Sequence, residues 1–197
     1  MNNKTMNSKS RTLVNIVGVP LILGAIYLGG YFFIAFIGLI IIIGTFEYNK
    51  LLKKNSAQPL ITLLMISNIL LIVSSIFITS IYQGLFDSTF LIFFVFHFIY
   101  LILFTIVAMI VEVFNNSKTS ILNISSTVFG FVWIGLFINS LIYFRLFSGS
   151  ELALITFLSL WICDTFAFFF GKNFGVMKIL PKVSPNKTVV GALSGLL

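Results

Sequence analysis

The chain reads TLVNIVGVPLILGAIYLGGYFFIAFIGLIIIIGTF from residue 12 to residue 46, and no charged side chain occurs between Arg11 and Glu47. At about 1.5 Å of rise per residue, a single helix of this length would exceed the roughly 30 Å of hydrocarbon in a bilayer. Gly29 and Gly30 lie near the middle, where they can break the helix and reverse the chain. The sequence therefore predicts a tight helical hairpin whose two spans are residues 13–28 and 31–46.

Four more apolar runs follow, each long enough to cross the hydrocarbon as a helix. They predict spans at residues 60–82, 89–111, 121–144 and 152–170. The polar stretch 171–188 is predicted to be a cytoplasmic substrate loop, and the apolar residues 189–197 are predicted to start a truncated span. We therefore predict an all-α, polytopic transmembrane helical bundle of about six spans, formed by residues 1–197 as one membrane domain.

The composition agrees with a membrane protein and excludes an ordinary soluble domain. Hydrophobic residues make up 59% of the chain and charged residues only 9%, against about a quarter charged in soluble domains. The net charge of +7 is spread over short segments between apolar runs, which favours anionic membrane lipids as partners over nucleic acid. Cys163 is the only cysteine, so an intramolecular disulfide is excluded.

The basic residues predict the orientation of the spans. With the N-terminus in the cytoplasm, only Arg145 of the 12 Lys and Arg side chains falls on the outer side. If the first two spans were one, Lys50, Lys53 and Lys54 would move outside and the bias would weaken. The charge pattern thus favours the hairpin and predicts a cytoplasmic N-terminus. We expect a multi-pass protein of the plasma membrane.

Two features could carry chemistry. Asp164 interrupts the sixth span, where an ionised carboxylate costs about 3 kcal/mol on insertion scales. It could face phosphate and Mg²⁺, or it could be a structural carboxylate paired inside the bundle. The stretch 171–188 contains four lysines among glycines and prolines, and these could bind phosphate groups or simply enforce topology.

Motifs around these features are informative by their spacing. Lys187-Thr188 resembles the end of a phosphate-binding P-loop, but no G-x-x-x-x-G precedes it and we predict no strand before it, so a Walker site is rejected. Two pairs have the G-x-x-x-G spacing of membrane helix packing, Gly171 with Gly175 and Gly191 with Gly195. Packing is the better interpretation of the second pair, whereas a turn or a phosphate approach competes for the first.

Three other ionisable residues have ordinary interpretations. His97 lies in mid-span without a second histidine, which favours an interior hydrogen-bonding role over a ligand role. Glu47 and Glu112 close spans beside lysines and are interpreted as interfacial carboxylates.

The region between Trp161 and Gly195 contains a set of residues at characteristic spacings: Trp161, Asp164-Thr165, Ala167, Phe169, Gly171, Phe174-Gly175, Lys178, Pro181, Ser184-Pro185, Lys187-Thr188 and Gly191. This pattern resembles the segment that precedes the C-terminal signature in the phosphatidate cytidylyltransferase (CDP-diacylglycerol synthase) family. The N-terminal part is similar more loosely, and the middle spans share only hydropathy.

The resemblance implies a nucleotidyltransferase of phospholipid biosynthesis. Such an enzyme transfers a cytidylyl group from CTP to phosphatidic acid, forming CDP-diacylglycerol and pyrophosphate with Mg²⁺ as cofactor. It implies catalytic roles for Asp164 and Lys187, with Asp164 also a metal ligand. It implies substrate binding by Thr165, Lys172, Lys178, Ser184, Pro185 and Thr188. Homodimerisation is an expectation from the resemblance alone.

Two departures from the family pattern bear on activity. Val190 stands where the family usually has an acidic residue before the glycine at Gly191. The C-terminal signature, which contributes metal-binding carboxylates in the family, does not occur in these residues. We therefore expect an incomplete chain with little or no activity of its own.

Two alternative functions remain open at this stage. One is a CTP-dependent polyprenol-type lipid kinase, which would release CDP rather than pyrophosphate. The other is a non-catalytic membrane transporter or structural protein, in which the lysines only set topology.

Overall fold

The computed structural model describes residues 8–54, 57–81, 86–181 and 184–196. The chain divides into two compact units, Met1–Gly149 and Ser150–Leu197.

Helices account for nearly all of the described first unit. Their bounds are α1 Ser8–Leu28, α2 Gly30–Lys53, α3 Ile61–Ile81, α4 Phe86–Asn115 and α5 Ser120–Gly130, followed by a π-helix at Phe131–Leu136 and by α6 at Phe137–Phe174, which continues into the second unit. Among the described residues, four helical segments are long and apolar enough to cross a membrane: Gly30–Lys53, Ile61–Ile78, Phe94–Asn115 and Ser120–Phe174. Ile16–Leu28 is a shorter apolar helix. The protein is thus an all-α, multi-pass membrane protein.

The turn between α1 and α2 lies at the predicted glycine pair. Gly29 and Gly30 have φ angles of 61° and 49°, a conformation that glycine adopts without steric cost. Arg145 Nε donates a hydrogen bond of 2.7 Å to the carbonyl oxygen of Ile26, in the last turn of α1. The guanidinium therefore satisfies a carbonyl that the end of the helix leaves without a partner.

Gly149 interrupts the long helical stretch that contains the predicted fifth and sixth spans. Its φ of 75° and ψ of 176° are not helical and suit glycine alone. The break falls between predicted spans 121–144 and 152–170, where the sequence placed a connection.

An aromatic and aliphatic core joins the middle of the first unit. Leu64 and Leu71 of α3 pack with Phe104 of α4 and Phe131 of the π-helix, and all four are buried. The rings of Phe104 and Phe131 stack with centroids 4.1 Å apart. This core attaches the π-helix to its neighbours.

Buried polar side chains also face the interior of the first unit, and we call them the polar seam: Thr45, Ser67, Asn68, Ser75, His97, Glu112, Asn123, Ser126, Thr127 and Asn139. Asn68 Nδ2 donates to Thr45 Oγ1 at 3.0 Å, and Ser75 Oγ donates to the Asn139 side-chain oxygen at 3.0 Å. His97 Nε2 lies 3.4 Å from Asn139 Nδ2. The interior hydrogen-bonding role predicted for His97 is confirmed.

The π-helix keeps the seam on one side of its helix. Over the 16 residues from Asn123 to Asn139, a regular α-helix would turn by about 1600°, which leaves these two seam side chains about 160° apart around the helix. Both are nevertheless buried. A π-turn closes i→i+5 hydrogen bonds, holds more residues per turn and rotates less per residue, so it reduces this drift.

The second unit begins with the rest of α6 and ends with a strand pair and a short helix. The elements are β1 Lys178–Leu180, β2 Ser184–Thr188 and α7 Val189–Leu196. The strands are antiparallel, with Lys178 opposite Thr188 and Leu180 opposite Ser184. The sequence argument that no strand precedes the Lys-Thr pair was wrong, because the pair itself ends β2. Pro185 favours an extended conformation at Ser184 before it, and this local effect is too short to produce a strand pattern.

Candidate functional site

Asp164 and Lys172 lie on the same helix of the second unit. Eight residues separate them, which corresponds to about 12 Å along the axis and two turns plus about 80° of rotation. Both side chains are exposed within this unit. Thr165 Oγ1 donates at 2.8 Å to the carbonyl oxygen of Trp161, one turn earlier, so its hydrogen is used within the helix. The helix thus presents a carboxylate and an amine on adjoining faces.

Helix α7 packs on α6 through residues without bulky side chains. A Cβ atom on Gly191 would lie 2.7 Å from the carbonyl oxygen of Ala167, and one on Gly195 would lie 3.0 Å from that of Cys163. Real Cβ atoms are rarely this close to backbone, so Gly191 requires glycine, and a side chain at Gly195 would require the two helices to move slightly apart. The packing interpretation of the second G-x-x-x-G pair is confirmed.

The first glycine pair accommodates Thr188. A Cβ on Gly171 would lie 3.0 Å from Thr188 Oγ1, and a Cβ on Gly175 would collide with both the Gly171 carbonyl oxygen and the Thr188 side chain. Gly175 N–H also donates to the Gly171 carbonyl at 3.2 Å, just after the end of α6. The sequence left a turn or a phosphate approach open for Gly171 and Gly175. The geometry favours a turn that packs closely against Thr188 over a phosphate approach.

Thr188 forms the N-cap of α7. The Gly191 N–H donates to Thr188 Oγ1 at 3.2 Å, and Gly191 is the third helical residue, the position that an N-cap oxygen normally reaches. Thr188 Oγ1 also lies 3.4 Å from the Gly171 carbonyl oxygen, to which it donates. The side chain is only 8% exposed.

The lysines of the strand pair are exposed. Lys178 lies opposite Thr188, so the two share a face of the pair, while Lys187 is next to Thr188 in the strand and points to the other face. Ser184 is half-buried opposite Leu180. The structure therefore brings two of the predicted phosphate-binding lysines into one hairpin, on opposite faces. Two other residues of this stretch lie outside the description: Lys182 altogether, and Pro185 in its side chain.

The described residues supply few ligands for a metal ion. No group of three or more His, Cys, Asp or Glu side chains among them could hold a metal ion. The sequence from residue 150 to 197 has two carboxylates, Glu151 and Asp164, which are about 20 Å apart along α6. Asp164 can therefore supply one ligand. A single carboxylate is compatible with Mg²⁺ only if the other ligands are phosphate oxygens, water or residues outside this part of the chain.

A family model described as the cytidylyltransferase family matches residues 9–197. The chain belongs to this family. The match covers almost the whole chain, including both units. The membrane helices, the capped α7 and the lysine-bearing hairpin are therefore features of a cytidylyltransferase-family protein.

Curated relatives in this family match over short segments. The phosphatidate cytidylyltransferase of Aquifex aeolicus is 52% identical over 44 residues, 22% of this chain and 17% of the relative. That of Chlamydia pneumoniae is 62% identical over 34 residues, covering 17% and 11%, and that of Staphylococcus aureus strain COL is 46% identical over 48 residues, covering 24% and 18%. The matched segments span less than a fifth of the length of these relatives. No solved structure matches the chain.

The sequence analysis missed one residue of this cytidylyltransferase-family chain. Glu112 was interpreted as an interfacial carboxylate, yet it is 1% exposed. Asn123 Nδ2 donates to its Oε1 at 2.8 Å, and the Ser117 hydroxyl donates to the same oxygen. Asn123 in turn accepts from the backbone N–H of Gln58 at 2.9 Å. The dense run of Asn, Ser and Thr after Glu112 is the signal that could have indicated a buried carboxylate with local donors. Glu47, by contrast, is exposed.

Proposed function

We propose that the protein containing this chain transfers a cytidylyl group from CTP to phosphatidic acid, forming CDP-diacylglycerol and releasing pyrophosphate. The observation that supports this reaction is the family match across both units, joined by relatives that carry the name phosphatidate cytidylyltransferase. The proposal includes a site that is embedded in the plasma membrane and opens to the cytoplasm.

The proposed chemistry needs charge neutralisation more than covalent catalysis by the protein. A phosphate oxygen of phosphatidic acid attacks the α-phosphorus of CTP, a new P–O bond forms, and pyrophosphate leaves as the old P–O bond breaks. Negative charge accumulates on the phosphoryl oxygens, and positioned amines stabilise it. Lys187, with Lys172 and Lys178, is proposed to contact these phosphates.

Mg²⁺ belongs to the same proposal. When bound, it would neutralise phosphate oxygens, with Asp164 as a single protein ligand in the part of the chain described. Ser184, Thr165 and Pro185 stay proposed substrate contacts. The Thr165 hydroxyl, already bonded within its helix, can still accept a hydrogen bond.

The experiment that tests the function uses the chain in lipid nanodiscs that contain phosphatidic acid and Mg²⁺. We expect equilibrium binding of CTP in preference to ATP, and about tenfold weaker CTP binding by Lys187→Ala, because one phosphate partner is lost. Lys118→Ala, which removes an exposed lysine of the first unit, is the matched control and should bind CTP as the unaltered chain does. Absence of CTP binding would contradict the proposal.

The position of a radioactive label identifies the reaction class. In the protein that contains this chain, label on the α-phosphate of CTP should enter the lipid fraction, whereas label on the γ-phosphate should leave as pyrophosphate. Entry of the γ-label into a polyprenol-type lipid would instead identify a CTP-dependent kinase. CTP binding with α-label transfer supports the proposed transferase.

A further inference from the structure

We propose that Thr188 is a positioning residue, which holds Lys187 near the end of β2 and does not itself contact the substrates. This inference rests on the proposed function, in which Lys187 binds phosphate. It reassigns a residue that the family resemblance placed among the substrate contacts. The evidence is the environment of its hydroxyl group.

Both hydrogen-bonding directions of the Thr188 hydroxyl are used inside the second unit. It accepts from the Gly191 N–H at 3.2 Å and donates to the Gly171 carbonyl oxygen at 3.4 Å. The first bond satisfies one of the N–H groups that the start of a helix leaves unpaired. A phosphate oxygen could be bound by this hydroxyl only at the expense of the donated bond.

Close packing leaves no room for a ligand at this hydroxyl. Cβ atoms added to Gly171, Gly175 or Gly191 would all approach the Thr188 side chain to 3.2 Å or less. The three glycines surround the hydroxyl group with backbone, and the Thr188 side chain is almost fully buried. A phosphate oxygen brings a phosphorus atom and three further oxygens with it, so a phosphate group needs more room than the single methyl groups that already fail to fit.

The same contacts fix the backbone beside Lys187. Thr188 is paired with Lys178 across the hairpin, and the Val189 N–H donates to the Met177 carbonyl oxygen at 2.9 Å. Lys187 precedes Thr188 directly. The contacts that hold Thr188 in place therefore also determine the position of the Lys187 Cα atom and the direction of its side chain. The buried threonine therefore determines the backbone position from which the exposed Lys187 side chain extends.

Two substitutions separate the hydroxyl from the shape of the side chain. Thr188→Ser keeps the hydroxyl, while Thr188→Val keeps the branched shape and removes both hydrogen bonds. Ser159→Ala is the matched control, because the Ser159 hydroxyl is exposed and donates to Thr156 of its own helix.

The test measures amide hydrogen exchange of residues 189–196 and CTP binding on the same nanodisc samples. We expect Thr188→Val to raise exchange at Gly191 and to weaken CTP binding about tenfold. Thr188→Ser should keep both close to the values of the unaltered chain, and Ser159→Ala should change neither.

A double-mutant cycle with Lys187 distinguishes positioning from general stability. If Thr188 acts through Lys187, Thr188→Val should weaken CTP binding much less in a Lys187→Ala chain than in the unaltered chain. Independent losses in the double variant would overturn the proposal.

Three further outcomes would overturn it in distinguishable ways. Weaker CTP binding by Thr188→Val with unchanged exchange in α7 would identify Thr188 as a direct ligand. Faster exchange with unchanged CTP binding would limit Thr188 to a structural role. If the unaltered chain binds no CTP, the proposed function fails as well, and exchange at Gly191 still reports separately whether Thr188 caps α7.

Discussion

Glu112 illustrates how a single carboxylate can be held inside a membrane protein. Among the described residues, its hydrogen-bond donors are the hydroxyl of Ser117 and the amides of Asn115 and Asn123, none of them charged. Hydrogen bonds to a carboxylate are stronger than those between neutral groups, and together they offset the cost of burial. Glu112 thus fixes the connection between α4 and α5.

Replacing Glu112 by Ala should destabilise the first unit by about 1–3 kcal/mol, because the buried amide of Asn123 loses one of its two acceptors and keeps only the Ser117 hydroxyl. Glu112→Gln retains an acceptor oxygen and should cost less. Thermal unfolding in detergent measures both, with Glu47→Ala as the control at an exposed carboxylate. Equal effects of Glu112→Ala and Glu47→Ala would contradict the buried network.

At the scale of elements, the π-helix depends on a close approach to α3. A Cβ atom on Gly135 would collide with the side-chain oxygen of Asn68, and Asn68 is held there by its bond to Thr45. Glycine in the π-helix therefore leaves space for a polar side chain of the seam. The wider π-turn and the small residue act together at this crossing.

Gly135→Ala should cost about 1–3 kcal/mol of stability, because the new methyl group overpacks the contact with Asn68. In an Asn68→Ala chain the same substitution should cost far less, since the obstructing oxygen is gone. A double-mutant cycle of unfolding free energies in micelles measures this coupling. Additive costs would show that the two residues do not compete for the same space.

The junction of α1 and α2 depends on Arg145, which comes from α6. Arg145→Ala removes a charged donor from the Ile26 carbonyl and should destabilise this junction by about 2 kcal/mol. Amide exchange at Gly29 and at Phe33, whose N–H groups bond within the junction, should rise. Arg145→Lys retains a cation and should have a smaller effect. Unchanged exchange in Arg145→Ala would mean that the glycines alone hold the turn.

At the scale of the whole molecule, the distribution of charge predicts which ends of the helices face the cytoplasm. The contact between Arg145 and the end of α1 places the Gly29-Gly30 turn and Arg145 at one end of the first unit. The positive-inside rule independently assigns both to the outer side. The structure and the charges therefore agree on which helix ends belong together.

Single cysteines in a Cys163→Ser chain test the orientation directly. A membrane-impermeant maleimide added to intact cells should label Glu151→Cys, whose position is exposed in the second unit. Lys54→Cys and Lys118→Cys should be labelled only after the cells are permeabilised, because both are assigned to the cytoplasm. The reverse labelling pattern would invert the proposed topology.

The sequence by itself determined the membrane class, the glycine turn and the approximate position of the break between residues 144 and 152. These follow from hydropathy, from helix length against bilayer thickness and from the φ angles that only glycine tolerates, all of which are local properties. The lysines of the hairpin were also recognisable, although their roles with substrate stay predictions.

Only the tertiary structure decided how distant residues are used. Arg145 and Ile26 are 119 positions apart, and Gln58 and Asn123 are 65 apart, so no local pattern predicts their hydrogen bonds. Thr188 shows the same limit, because a motif reveals a hydroxyl but not that packing has enclosed it. Whether a polar group meets protein or ligand depends on which helices approach it, and that is decided by packing between segments far apart in sequence.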